Sequence, residues 1–307
     1  MLIDILLPLT LLLGLGYVCI RFGVLSSALL PHLSQFVIKV SLPAFLLSAL
    51  ASKNLAEIWQ PIYIAAYALG SLLVFAITIA YFYYYLQQHL TQASVLAMGA
   101  SMSNTGFIGS AILTLLLDSH AAVYLSLTLI IENLCIVAVM LVLAEGAGQQ
   151  QTAKWLLYRN TLFKLLKNPV ILAIILGMLL AAFEVKIPQF LLETLQRLGQ
   201  TASPLALFII GAGLVGISIQ SIDRESLILV ALKLIVMPIM IFSLLYLFAA
   251  PTEMLYAGTL LAILPMPVAF AIFAEHYGMR QRALAPLMLS TILGFALLAI
   301  LLTIWRI

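Results

Sequence analysis

Apolar residues run along this chain in about ten stretches, near 2–20, 33–52, 61–86, 93–117, 121–144, 168–183, 201–220, 225–248, 254–275 and 283–305, with short polar connections between them. A helix needs about 20 apolar residues to cross a bilayer, and most of these stretches approach or exceed that length. The period is helical throughout, without the alternation over roughly ten residues that marks an outer-membrane barrel. The pattern predicts an all-α integral membrane protein with about ten transmembrane helices.

Two of the stretches are broken near their middles. The fourth carries Ser103-Asn104-Thr105-Gly106-Phe107-Ile108-Gly109, and the ninth carries Pro265-Met266-Pro267. Asn104 lies 161 residues before Pro265, and the same shift carries Pro8 onto Pro169, Gly16 onto Gly177, Pro43 onto Pro204 and Gly106 onto Pro267. The chain therefore reads as two copies of one unit, residues 1–144 and 168–307, joined by a central loop at 145–167. About five crossings in each copy is an odd number, so the second copy enters the membrane from the opposite face and the repeats are inverted. Interrupted segments at matching places in two inverted halves point to a transporter site at the midplane, with segments 4 and 9 as broken crossover helices.

Composition narrows the picture further. Only 8% of the 307 residues are charged, 64% are hydrophobic and the mean hydropathy is +1.20, values that no soluble core absorbs. Met1-Leu2-Ile3-Asp4 has no basic region before its apolar run, so the first segment is expected to be a retained helix. Cys19 and Cys135 fall inside helices without CxxC spacing and read as packing residues. With both termini outside, the cytoplasmic loops hold Arg21, Lys154, Arg159, Lys164, Lys167, Arg224, Arg280 and Arg282. The external segments then hold Lys53, Lys186, Arg197 and Arg306. That asymmetry satisfies the positive-inside rule. Contact with anionic lipids accounts for the basic central loop, and no nucleic-acid role is indicated.

The candidate substrate site gathers around the two breaks. Ser103, Asn104 and Thr105 bring hydroxyls and an amide to bilayer depth, and Gly106 and Gly109 permit unwinding; exposed backbone there must be buried in protein or line a wet cavity. The competing reading is close helix packing, with Asn104 bonded to a neighbouring helix. Pro265 and Pro267 lack an N–H, so carbonyls about one turn earlier lose their donors. Those carbonyls face either a cavity or side chains that satisfy a plain kink. Pro43 and Pro204 read as hinges supporting the crossing.

Ionisable residues inside the membrane are functional candidates by default. Glu132, followed by Asn133, lies mid-segment and could carry a proton or pair with a cation. Lys233 is about eight residues inside the eighth segment, where it either attracts an anionic substrate or snorkels to the cytoplasm. Lys39 reads as a snorkelling residue. Catalysis is disfavoured: His32, His89, His120 and His276 are scattered without metal-ligand spacing, and the acids do not cluster as a magnesium site requires. No metal and no organic cofactor are expected. A receptor or sensor on the same bundle would not need two broken helices.

These passages carry a family resemblance over nearly the whole chain. Asn104-Thr105-Gly106-Phe107-Ile108-Gly109, Ser203-Pro204-Leu205-Ala206-Leu207 leading to Gly211-Ala212-Gly213-Leu214, Lys233 with Pro238, and Pro265 through Ala274-Glu275-His276-Tyr277-Gly278 resemble the auxin efflux carrier family of membrane transporters. The resemblance implies ten helices in two inverted five-helix repeats, crossover helices 4 and 9 forming the substrate site, and the broader fold of bile acid:sodium symporters. It also implies a small carboxylate solute such as malate, malonate or an auxin-like acid, moved across a bacterial inner membrane. Many relatives carry a polar residue shortly after the ninth-helix proline, whereas Val268, Ala269 and Phe270 are apolar here.

The sequence thus reads as a secondary transporter of a small organic anion working by alternating access, with H+ or Na+ as the coupling ion through Glu132. A passive uniporter or a non-transport receptor on the same fold is the alternative. Apolar faces with small residues would permit a homodimer.

Overall fold

Every regular element among the described residues is helical. The computed structural model describes residues 2–53, 55–110, 112–113, 121–148, 167, 169–213, 215 and 223–305. Most of the central loop, with Lys154, Arg159 and Lys164, lies outside them, as do the ends of the fourth and seventh predicted segments and Arg306. The helices are α1 (Leu2–Arg21), α2 (Ser27–Leu50), α3 (Ala56–Tyr85), α4 (Leu90–Ser101), α5 (Ala121–Ala144), α6 (Pro169–Ala182), α7 (Gln189–Gln200), α8 (Ala202–Gly213), α9 (Arg224–Leu247), α10 (Thr252–Ile263), α11 (Val268–His276) and α12 (Arg280–Trp305). Of these, α2, α3, α5, α9 and α12 are each long and apolar enough to cross a membrane. The pair α10 and α11, bent by 43°, makes a sixth when counted as one broken span.

Outward faces are apolar: Leu11, Ile239, Leu247, Ile272 and Ile300 are all exposed. Such faces suit a hydrocarbon solvent, and in lipid the helices must be held together by close packing and polar contacts. Glycine supplies the close packing. A Cβ at Gly16 would fall on the Phe208 carbonyl, and one at Gly211 on the Leu13 carbonyl, so α1 and α8 meet backbone to backbone. A Cβ at Gly177 would stand 2.9 Å from Leu50 Cβ and 3.6 Å from Leu47 Cα, so α6 also packs closely on α2, though less tightly than α1 on α8. The shift of 161 that takes Gly16 to Gly177 also takes Leu47 to Phe208, so the two contacts correspond.

Several spans contain π-helical turns, in which one extra residue widens the winding. They occupy Val37–Ser41 in α2, Ala80–Tyr85 in α3, Glu132–Val137 in α5 and Leu232–Val236 in α9. Pro43 and Pro238 follow two of these turns directly, where a ring without an N–H would clash with regular α winding. Pro204 lies in the first turn of α8, just past the break between α7 and α8 at Thr201. Ser41 Oγ and Thr201 Oγ1 share a hydrogen bond of 2.7 Å, joining the irregular part of α2 to that break.

The amphipathic helix α7 was not expected from the sequence. Glu193, Gln196 and Arg197 interrupt its apolar positions, so it never forms an apolar run, yet it packs on α2 so closely that a Cβ at Gly199 would stand 2.7 Å from Phe45 Cα.

Candidate functional site at the two helix breaks

The first break follows from what surrounds Asn104. Helix α4 ends at Ser101, Met102 is extended (φ −117°, ψ 154°), and Asn104 takes φ −78°, ψ 54° before the chain re-enters a π-helical turn at Thr105–Gly109. The second break follows from proline. A residue before a proline is disfavoured in the helical region, and Leu264, before Pro265, leaves it with ψ 151° at the end of α10. Pro267 then stands at the N-terminus of α11, where its missing N–H costs nothing.

The two breaks touch. Asn104 N–H donates to the Pro265 carbonyl at 2.9 Å, joining the very residues that the 161-residue shift equates. Asn104 O in turn accepts from Ile108 and Gly109, at 2.9 and 3.0 Å, which starts the π-helical turn. The carbonyl of Pro265 is therefore used by the opposite break rather than turned to a cavity.

Unwinding leaves backbone groups without helical partners, and each must find another inside a membrane protein. Ser103 N–H donates to Glu132 Oε1 at 2.7 Å, and Thr105 Oγ1 reaches the same oxygen at 3.1 Å. The Ala262 carbonyl, near the end of α10, accepts from Lys233 Nζ at 2.9 Å. Met266 N–H finds Ser290 Oγ on α12 at 3.3 Å. Lys233 Nζ also donates to Ser103 Oγ at 2.6 Å and lies 2.9 Å from Met237 Sδ. Ser103 therefore links the acid on α5 to the base on α9, through its amide on one side and its hydroxyl on the other.

Ser103, Asn104, Thr105, Glu132 and Lys233 are each no more than 4% exposed. Lys233 is fully buried, which rules out the snorkelling alternative. Its three N–H donors face three acceptors, so in this conformation its hydrogen-bonding capacity is filled by the protein itself. Lys39, by contrast, is exposed on α2.

Not every candidate joins the cluster. Asn133 turns back to its own helix, donating to the Leu129 carbonyl at 2.8 Å. The two glycines of the first break serve close contact: a Cβ at Gly109 would stand 2.9 Å from Leu261 Cδ2, and one at Gly106 would stand 3.0 Å from Leu42 Cδ2. Sequence reasoning missed Ser290, Met237 and Gly294. Gly294 lets α12 approach Pro265, whose ring Cδ lies 3.3 Å from where its Cβ would be. It also missed Gly99, where a Cβ would meet the Phe270 ring at 2.9 Å and hold α4 off α11.

Beyond the breaks, Arg282 on α12 donates to Glu225 on α9 and to Gln88 and Gln92 beside and within α4, at 3.0 and 3.2 Å for the two glutamines. Gln88 also donates to Glu225 at 2.7 Å, so one end of the bundle is tied by a polar knot.

Comparison with known proteins agrees with this architecture. A family model described as "Membrane transport protein" matches residues 1–305. A relative from Rhizobium meliloti (strain 1021), named "Putative malonate transporter", is 26% identical over 297 residues, covering 95% of this chain and 92% of the relative. With its apolar helices, two breaks and whole-length family match, the chain belongs to the membrane transport protein family, that of the auxin efflux carriers, and is an integral membrane protein of a transporter family rather than an enzyme family.

Proposed function

We propose that the protein is a secondary transporter that carries a small organic anion by alternating access to a site between the Asn104 and Pro265–Pro267 breaks. The observation that carries the reading is the Asn104 to Pro265 hydrogen bond, since two interrupted helices touching at their breaks is the arrangement that midplane transport sites use. Helix α11 begins at the second break, and its first amides and positive dipole end suit a carboxylate there. Asn104 orients the solute, Ser103 and Thr105 fix the first break, and Glu132 and Lys233 set the charge of the site. Malonate is the first acid to test, given the name of the relative, with malate and an auxin-like acid next.

The same reading takes the chain as ten crossings in two inverted five-helix halves, 1–144 and 168–307, with both termini outside a bacterial inner membrane. Its support is the shared shift of 161 residues that relates Asn104 to Pro265 and the Gly16–Phe208 contact to the Gly177–Leu47 contact.

The experiment is uptake of labelled malonate, malate and indole-3-acetate into proteoliposomes, with and without an imposed pH or Na+ gradient. Accumulation of one acid above protein-free vesicles, and its loss in Asn104→Ala at unchanged membrane abundance, are the expected results. Uptake that depends on neither gradient would make the protein a uniporter. No movement of any acid under any gradient would overturn the organic-anion reading, and full transport by Asn104→Ala would remove Asn104 from the site.

A further inference from the structure

Lys233 stands where two helix ends of the same sign meet. Helices α4 and α10 both stop at the breaks, at Ser101 and Ile263, so each presents a carbonyl-rich, partially negative end to the protein interior. The Lys233 ammonium is held between them, bonded to Ser103 Oγ just past the end of α4 and to the Ala262 carbonyl at the end of α10, with Met237 Sδ as its third neighbour. Glu132 supplies the negative side chain of the cluster, tied to it through the Ser103 amide.

Unwound carbonyls, a hydroxyl and half-helix C-terminal ends are what broken-helix transporters offer to Na+. In this chain those groups hold a covalently attached cation instead. A lysine whose purpose was to bind substrate would keep a donor free for it, and all three donors here have acceptors within the protein.

We propose that the pocket formed by Ser103, Ala262 and Met237, with the Glu132 carboxylate behind Ser103, is a monovalent-cation site occupied by the chain's own ammonium, and that removing Lys233 opens it to Na+ or to a small organic ammonium. The wild-type protein then has no use for Na+ at this position. Any coupling through the cluster is to protons. The inference builds on the transporter reading, but its decisive test is a binding measurement that needs no substrate.

Thermal unfolding of purified wild type and Lys233→Ala would be followed in choline chloride, sodium chloride and methylammonium chloride at equal ionic strength. The variant is expected to melt below the wild type in choline and to recover by several degrees, saturably, in sodium or methylammonium, while the wild type melts alike in all three. Lys233→Met, which fills the pocket with an uncharged chain, should show no cation response. A folded Lys233→Ala without any cation-dependent recovery overturns the proposal, as does a saturable Na+ stabilisation of the wild type. If the variant does not survive extraction in choline, its yield of monodisperse protein is compared after extraction in each salt. Higher yield in sodium or methylammonium supports the proposal and equal loss in all three overturns it. Failure of acid uptake would leave this result standing, and failure of the cation response would leave the organic-anion reading standing.

Discussion

Replacing Glu132 separates the two tasks of its carboxylate. Oε1 accepts both the Ser103 amide freed by the first break and the Thr105 hydroxyl, at 2.7 and 3.1 Å, from a side chain only 1% exposed. Glu132→Ala removes the acceptor and the charge together. It strands a buried N–H and leaves Lys233 without its acidic neighbour, and truncating one member of a buried charged set costs about 3–5 kcal/mol in soluble proteins. Hydrogen bonds inside membranes measure less, about 0.6 kcal/mol on average, so the lower end of that range is the better guide. Glu132→Gln keeps an oxygen in reach of Ser103 and Thr105 and loses only the charge, for about 1–2 kcal/mol. Fluorescence-monitored thermal unfolding in detergent should therefore rank wild type above Gln and Gln above Ala, with several degrees between the two variants. If both melt within about 1 °C of each other, the backbone-satisfying role assigned to Oε1 is wrong.

Gly16→Ala should cost about 1–3 kcal/mol and lower the yield of folded protein, because its Cβ collides with backbone on α8; Gly14→Ala on the same helix has open space and should be silent in the same unfolding assay. Ser290→Ala removes the acceptor for Met266 N–H and should destabilise by about 1 kcal/mol, with Ser290→Thr expected to recover most of it. Arg282→Ala cuts a partly exposed knot in which Glu225 is about one-third exposed, so its cost should stay below about 1 kcal/mol and shrink as salt is raised, read from melting curves at low and high ionic strength.

The breaks were legible in the sequence because their residues act on the backbone directly. Proline removes an N–H wherever it sits, and Asn, Thr and Gly gathered inside an apolar run have few reasons to be there. Membrane character was legible for the same local reason, since the absence of charge over 20 or so residues is a property of the stretch itself. Partnerships were not. Nothing near Lys233 or near Ser103 announces that they meet, because 130 residues separate them and no periodicity encodes the contact. The sequence could single out Glu132 and Lys233 by cost alone; it could not say that one holds a stray amide and the other a stray carbonyl. Asn133, flagged as the neighbour of Glu132, turned out to serve its own helix. Helix α7 escaped because its alternation of Leu with Gln, Glu and Arg has the look of an external loop.

The π-helical turns that carry Glu132 and Lys233 have a consequence for how this protein can change over generations. Each holds one residue more than regular winding allows, so a single in-frame codon deletion there restores an ordinary α-helix while the residues on either side keep the faces they had. Such a step changes only which residues of that one turn point inward and leaves the rest of the span facing as before. A one-residue insertion or deletion is thus absorbed at these turns more readily than in regular winding, so the chain can change length there without repacking the bundle.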